Sequence, residues 1–190
     1  MLACLAARQL GRPMRLVLSR AQMFTLVGRR QETLQRLQIG AASDGRLVAL
    51  VHDAVAQTST FAEYADPIAT PTRMMYACPN VATTHRLVRA NAPQPNPARA
   101  PGEGPGSFAL ESALDELAYE LDLDPLELRR RNVADRDQHA GLPWSSNGLL
   151  ECYRVGAEAF GWARRASMPG PPTPGPRTPA LCAQVRCTPR

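Results

Sequence analysis

The sequence contains no lysine: all 22 of its cationic side chains are arginine. Without a lysine to reach the β- and γ-phosphates, a P-loop nucleotide site is excluded. Cysteine is sparse and odd in number, with Cys4, Cys78, Cys152, Cys182 and Cys187 forming no C-x-x-C pair. That pattern argues against a disulfide framework or a zinc ribbon. Cys182 and Cys187 have the spacing that opens a plant-type iron–sulfur motif, but Arg190 stands where its third cysteine belongs. The histidines His52, His85 and His139 lie far apart, with no H-x-x-x-H or H-E-x-x-H. Hydrogen-bonded or surface histidines are expected, and no metal ligands. Aromatic residues make up only 5% of the chain. No apolar run approaches the roughly 20 residues of a membrane span, and residues 2–7 are too short for a signal sequence.

What is present suits one ordinary domain: 190 residues, 44% of them hydrophobic. The net charge of +5 comes entirely from five arginines after Trp162 (Arg164, Arg165, Arg177, Arg186 and Arg190), a region with no acid. Residues 163–190 also carry seven prolines and no apolar periodicity, so they are expected to be a disordered Pro/Arg-rich tail. A shifted reading frame in a GC-rich gene would produce the same composition. A tail of this charge also suits a basic module that contacts nucleic acid through phosphates, a partner the neutral remainder of the chain does not favour.

Along the chain, Leu2, Leu5, Ala6 and Leu10 recur at helical spacing and stop at Gly11 and Pro13. Residues 15–18 read as a short strand, and Ser19 as the cap of a helical turn over 20–24. Residues 34–42 and 46–56 alternate as half-buried strands around Ser43-Asp44-Gly45, a hairpin turn. Residues 57–71 read as a long connection and 83–90 as another strand. Leu110, Leu114, Leu117 and Leu121 mark one face of a long helix from Gly106, and most of the acids Asp115, Glu116, Glu120, Asp122 and Asp124 fall on the solvated side. Asp124-Pro125 starts a second helix over 125–132, with three arginines in its last turn to complement the macrodipole. A turn with a serine cap leads to a final helix over 149–160 that ends at Gly161. The fold class expected is α+β.

Residues 97–111 look most like a site. Gly102, Gly104 and Gly106 permit positive φ and close backbone approach, and the helix they open aims its unpaired N–H groups at whatever the loop surrounds. This is no Rossmann turn, because the glycine register is wrong and Pro93, Pro95 and Pro97 precede it.

Four stretches together carry a resemblance. They are Gly11-Arg12-Pro13-Met14-Arg15-Leu16-Val17-Leu18-Ser19-Arg20-Ala21-Gln22-Met23-Phe24, Met74-Met75-Tyr76-Ala77-Cys78-Pro79-Asn80-Val81, Arg99-Ala100-Pro101-Gly102 and Asp124-Pro125-Leu126-Glu127-Leu128-Arg129-Arg130-Arg131-Asn132. In this order they resemble the large, molybdopterin-binding subunit of the xanthine dehydrogenase and aldehyde oxidase family of molybdenum hydroxylases. The resemblance spans about residues 2–162, so the expected organisation is a partial molybdopterin-binding domain over 1–162 followed by the tail. It implies hydroxylation of an aldehyde or N-heterocycle with water as oxygen source, on a molybdenum–molybdopterin cofactor of unspecified dinucleotide form. Electrons would leave through iron–sulfur clusters to FAD on partner subunits, and the compartment expected is the cytoplasm, with the periplasm open to the intact enzyme.

The resemblance also assigns residues. Arg99 and Gly102 match the loop that lies against the cofactor, where a cation would stabilise an anionic centre. Arg30, ten residues before Gly40, matches the arginine that polarises substrate, with Arg29 beside it. Ala100 and Pro101 stand where xanthine-type members carry an aromatic residue, which favours an aldehyde or other small substrate over a purine. The family's upstream glutamine and glycine loop and its downstream glutamate base have no counterpart here. The expectation is therefore an internal fragment, inactive as a hydroxylase by itself, or the remnant of a broken gene.

Overall fold

Helix α1 (Leu2–Leu10) ends where Gly11 turns left-handed at φ 65°, as its apolar spacing predicts. The computed structural model of the chain describes residues 1–165 and the backbone of Gln184–Val185. Helix α2 (Arg20–Leu26) opens with a capping box: Gln22 N–H donates to Ser19 Oγ, and Ser19 N–H donates back to Gln22 Oε1. The strand expected over 15–18 does not form. Leu16 and Val17 are 54% and 72% exposed, and no described strand lies beside them to complete a ladder.

The hairpin forms as expected. Strands β1 (Thr33–Ala41) and β2 (Leu47–Ser59) pair antiparallel, Thr33 opposite Ala56, with a bulge between Gly40 and Ala41. Gly45 takes φ 83°, and Arg46 N–H donates to Asp44 Oδ1 at 3.0 Å. Beyond β2 the chain crosses through helix α3 (Thr70–Met74) and returns as β3 (Asn80–Ala90), parallel to β2 with Ala49 opposite Asn80. This crossover resolves the long connection expected over 57–71, because parallel neighbours cannot be joined by a tight turn. The sheet order is β3-β2-β1-β6, where β6 is Gln184–Val185. Of the tail expected over 163–190, residues 163–165 and the backbone of Gln184–Val185 are described, Trp162–Arg164 forming a short 3-10 turn; the rest, with Cys182 and Cys187, lies outside the described residues.

Helix α4 (Glu103–Glu120) covers one face of the sheet. Ala109, Leu110, Ala113, Leu114 and Leu117 pack with Leu37, Ile39, Leu50, Tyr76 and Leu128, the apolar stripe that the leucine spacing predicts. Helix α5 (Pro125–Arg131) is capped by Asp124, whose Oδ1 accepts from the N–H groups of Leu126 and Glu127. The other oxygen, Oδ2, accepts from Trp162 Nε1 (2.8 Å) and from Arg165 (2.7 Å), and the Arg165 guanidinium stacks 3.9 Å from the Trp162 ring centre. Burial pushes the Asp124 pKa up, but these bonds outweigh it and hold the carboxyl below its usual range.

Two details differ from expectation. Arg129 does not simply complement the end of α5: it turns inward and donates to Glu111 Oε2 (2.7 Å) and Asp115 Oδ1 (2.8 Å) on α4. After the short β4 (Arg136–Asp137) and β5 (Leu142–Pro143) pair, helix α6 (Leu149–Phe160) starts at Gly148. There Leu149 N–H donates to Asn147 Oδ1, not to a serine. Neither α1 nor α6 buries a residue. Among the described residues no helix is long and apolar enough to cross a membrane.

Candidate functional site

The glycine-rich loop is shorter than it reads. Helix α4 begins at Glu103, three residues before the expected Gly106, because a proline at position 105 falls in the first turn, where its missing N–H would be unpaired anyway. Of the three glycines only Gly102 has positive φ, at 79°, and it caps the helix. The N–H groups of Gly104 and Gly106 donate to Ala100 O and Gly102 O at 3.1 and 2.9 Å. The close approach the glycines allow is made by the chain itself. A Cβ on Gly102 would fall 2.6 Å from the Pro67 backbone, and one on Gly106 2.0 Å from Ile68 O.

Arg30 reaches this loop from the residues just before β1. Its Nη1 donates to Ala100 O at 3.0 Å and its Nη2 makes a short bond to Arg99 O. Two site residues 69 positions apart in sequence are thereby brought together. Arg29 points elsewhere, with Nη2 donating to Gln57 Oε1 at 2.8 Å while its carbonyl accepts from Asn96 N–H. The Arg99 side chain is exposed and has no hydrogen bond or ion pair among the described residues.

Beneath the loop lie polar groups of which the sequence singles out only His52. Tyr64 Oη donates to Asp66 Oδ1 at 2.5 Å, and this bond pushes the Tyr64 pKa up to about 12. Asp66 is wholly buried and its Oδ2 has no hydrogen-bond partner among the described residues. His52, also buried, sits between Thr72 Oγ1 (2.7 Å) and Gln35 Oε1 (3.0 Å), as the expectation of a hydrogen-bonded histidine requires.

Burial lowers the His52 pKa from 6.5 to about 4. Between those values the unfolded chain takes up a proton that the folded chain refuses. Stability from this group is therefore full above pH 6.5 and declines as the pH falls toward 4. Urea midpoints taken across that range should drop more steeply for the parent than for His52→Gln; equal slopes would contradict the assignment.

Among the described residues no group of three His, Cys, Asp or Glu side chains could hold a metal directly. The donor set fits an anionic carrier: an exposed and uncommitted Arg99, an Arg30 with donors to spare, and the positive end of α4, partly offset by Glu103 in its first turn. A groove of about 240 Å³ lined by Met74, Met75, Val133, Ala134, Trp144 and Asn147 involves none of these residues.

Residues 1–133 match the family model of the molybdopterin cofactor-binding domain. The chain is 37% identical over 177 residues to the aldehyde oxidoreductase molybdenum-binding subunit PaoC of Escherichia coli (strain K12), covering 90% of this chain and 23% of PaoC. It is 30% identical over 172 residues to the xanthine dehydrogenase molybdenum-binding subunit of Escherichia coli O157:H7, covering 87% and 23% respectively. The fold superposes on the crystal structure of the aldehyde oxidoreductase from Desulfovibrio gigas with a TM-score of 0.74 at 26% identity, over 85% of this chain and 18% of that one. The chain thus spans under a quarter of the length of these two curated relatives. The loop gripped by Arg30 lies inside the matched region, and the chain belongs to the molybdopterin cofactor-binding domain family.

Proposed function

We propose that the chain forms one wall of the molybdenum–molybdopterin site of an oxidoreductase that hydroxylates an aldehyde or N-heterocycle. Arg99 and Gly102 place the cofactor in this reading, and Arg30 faces the substrate. When bound, the cofactor would supply two-electron redox chemistry with water as the oxygen source. Arg99 contributes an exposed guanidinium suited to an anionic group, and Gly102 fixes the turn that presents it. Arg30 spends two bonds on the loop, so of the five N–H donors of a guanidinium others remain for a developing oxyanion. Ala100 and Pro101 offer no aromatic face, which favours an aldehyde or other small substrate. Partners carrying iron–sulfur clusters and FAD, and a cytoplasmic setting, complete the proposal.

The observation that carries it is the grip of Arg30 on the carbonyls of Arg99 and Ala100. A chimera of PaoC with its matching segment replaced by residues 1–133 provides the test. Once assembly is verified by size exclusion, it should retain molybdenum and oxidise aldehydes. Arg99→Gln should lower molybdenum content, whereas Arg30→Gln should retain the metal and lower kcat by roughly 10² to 10³, the cost of removing one transition-state donor. An assembled chimera without molybdenum would refute the reading.

A further inference from the structure

Strand β1 and the residue pair before it carry an inward row at positions 31, 33, 35, 37 and 39, alternate residues on one face. The row changes character halfway. Leu37 and Ile39 join the apolar core, but Gln31 and Thr33 are buried polar residues and Gln35 is partly buried. Each glutamine amide spends both of its donors and accepts one bond. Gln31 Nε2 donates to Gln57 O (3.2 Å) and Tyr64 O (2.7 Å), while its Oε1 accepts from Asp66 N–H (2.8 Å). Gln35 Nε2 donates to Thr33 Oγ1 (3.0 Å) and Pro105 O (3.2 Å), while its Oε1 faces His52 Nε2 (3.0 Å). With both Gln35 donors spent on oxygens, His52 must carry its proton on Nε2, and Nδ1 accepts from the Thr72 hydroxyl.

These bonds end on the two supports of the site loop. Asp66 precedes Pro67, on whose backbone Gly102 rests, and Pro105 lies in the first turn of α4. Apolar side chains could fill the same row, as Leu37 and Ile39 do two steps further on. Apolar contact is non-directional, however, whereas an amide with three satisfied bonds fixes a backbone group to one place.

We propose that Gln31 and Gln35 are the positioning residues of the candidate site: Gln31 sets the Asp66–Pro67 shelf beneath Gly102, and Gln35 anchors the start of α4. Arg30 grips the loop at Arg99 and Ala100, and the two glutamines hold what the loop rests on. The functional meaning of this placement rests on the cofactor reading above, but the placement itself can be measured without any cofactor.

The test is amide hydrogen exchange on the full 190-residue chain, comparing the parent with Gln31→Met, Gln35→Met and Gln35→Glu. Loss of one buried bond should raise local exchange by about tenfold. The rise is expected at Ile68 and Gly106 for Gln31→Met, and at Gly104 and Gly106 for either Gln35 variant. The hairpin-turn amide of Gly45, bonded to Ala42 O, should not change. Gln35→Glu retains an acceptor for His52, so the imidazole nitrogen spectrum should still show the Nε2 proton while the start of α4 loosens. That variant keeps the test open if the methionine variants fail to fold. Unchanged exchange at the loop, or an equal rise at Gly45, would overturn the proposal and leave the row a general support of the hairpin. If the loop loosens as expected but the PaoC chimera holds no molybdenum, the positioning stands and the cofactor reading falls.

Discussion

Gly106→Ala is expected to lower stability by about 3 kcal/mol although alanine is the better helix former. Position 106 lies inside α4, where exchanging glycine for alanine on an open surface gains about 1 kcal/mol. Here the added methyl would fall 2.0 Å from Ile68 O, a backbone atom, with the Pro71 ring 3.5 Å away. No side-chain rotation relieves such a clash. Either α4 lifts from the 66–68 segment or that segment is pushed from beneath Gly102, and both moves dismantle the loop. Gly104→Ala is the internal control. Its nearest neighbour is Arg30 Nη1 at 3.3 Å, the far end of a flexible side chain, so this substitution should be neutral or stabilising by up to about 1 kcal/mol. Urea midpoints read both variants, and shifts of the same sign and size would contradict the packing.

The second large effect lies at Arg129. Its side chain is only 12% exposed and bonds Glu111, which is 31% exposed and also accepts from the buried Tyr76 hydroxyl at 2.7 Å. Burial and the Glu111 charge together push the Tyr76 pKa up, so the phenol stays a donor throughout the working pH range. Arg129→Met keeps much of the volume but leaves Glu111 and Asp115 without their counter-charge. Breaking such a pair from one side costs roughly 3 to 4 kcal/mol. Arg129→Met combined with Glu111→Leu should recover part of the loss, because the uncompensated charge is then gone. A double variant no better than the single would mean that Arg129 acts through packing alone.

What was legible in the sequence follows from how local each signal is. Asp44-Gly45 encodes its turn within two residues, and the leucines of α4 encode a face within three turns, so hairpin and helix were both readable. The parallel β2–β3 pair was not, since nothing in residues 80–90 states which strand they join or in which direction. The start of α4 was misread because Gly-Pro-Gly signals a loop when taken alone. It reads as helix once Pro105 is placed in a first turn, where the missing N–H costs nothing. Arg30 and Arg99 could be named from the resemblance, but their meeting through two loop carbonyls needs the fold. The row at Gln31, Thr33 and Gln35 was within reach: once Leu37 and Ile39 fix the odd positions as inward, the same parity places these polar residues inside too.

Both tryptophans of the chain, Trp144 and Trp162, lie beyond α5. Trp144 donates to Ala134 O, and Trp162 is clasped by Asp124 and Arg165. Tryptophan fluorescence therefore reports the docking of the segment after α5 rather than the loop, the sheet or the packing beneath α4. The clasp gives the chain a tryptophan label on the seam beyond α5, and an engineered tryptophan would be needed to give the candidate site the same signal.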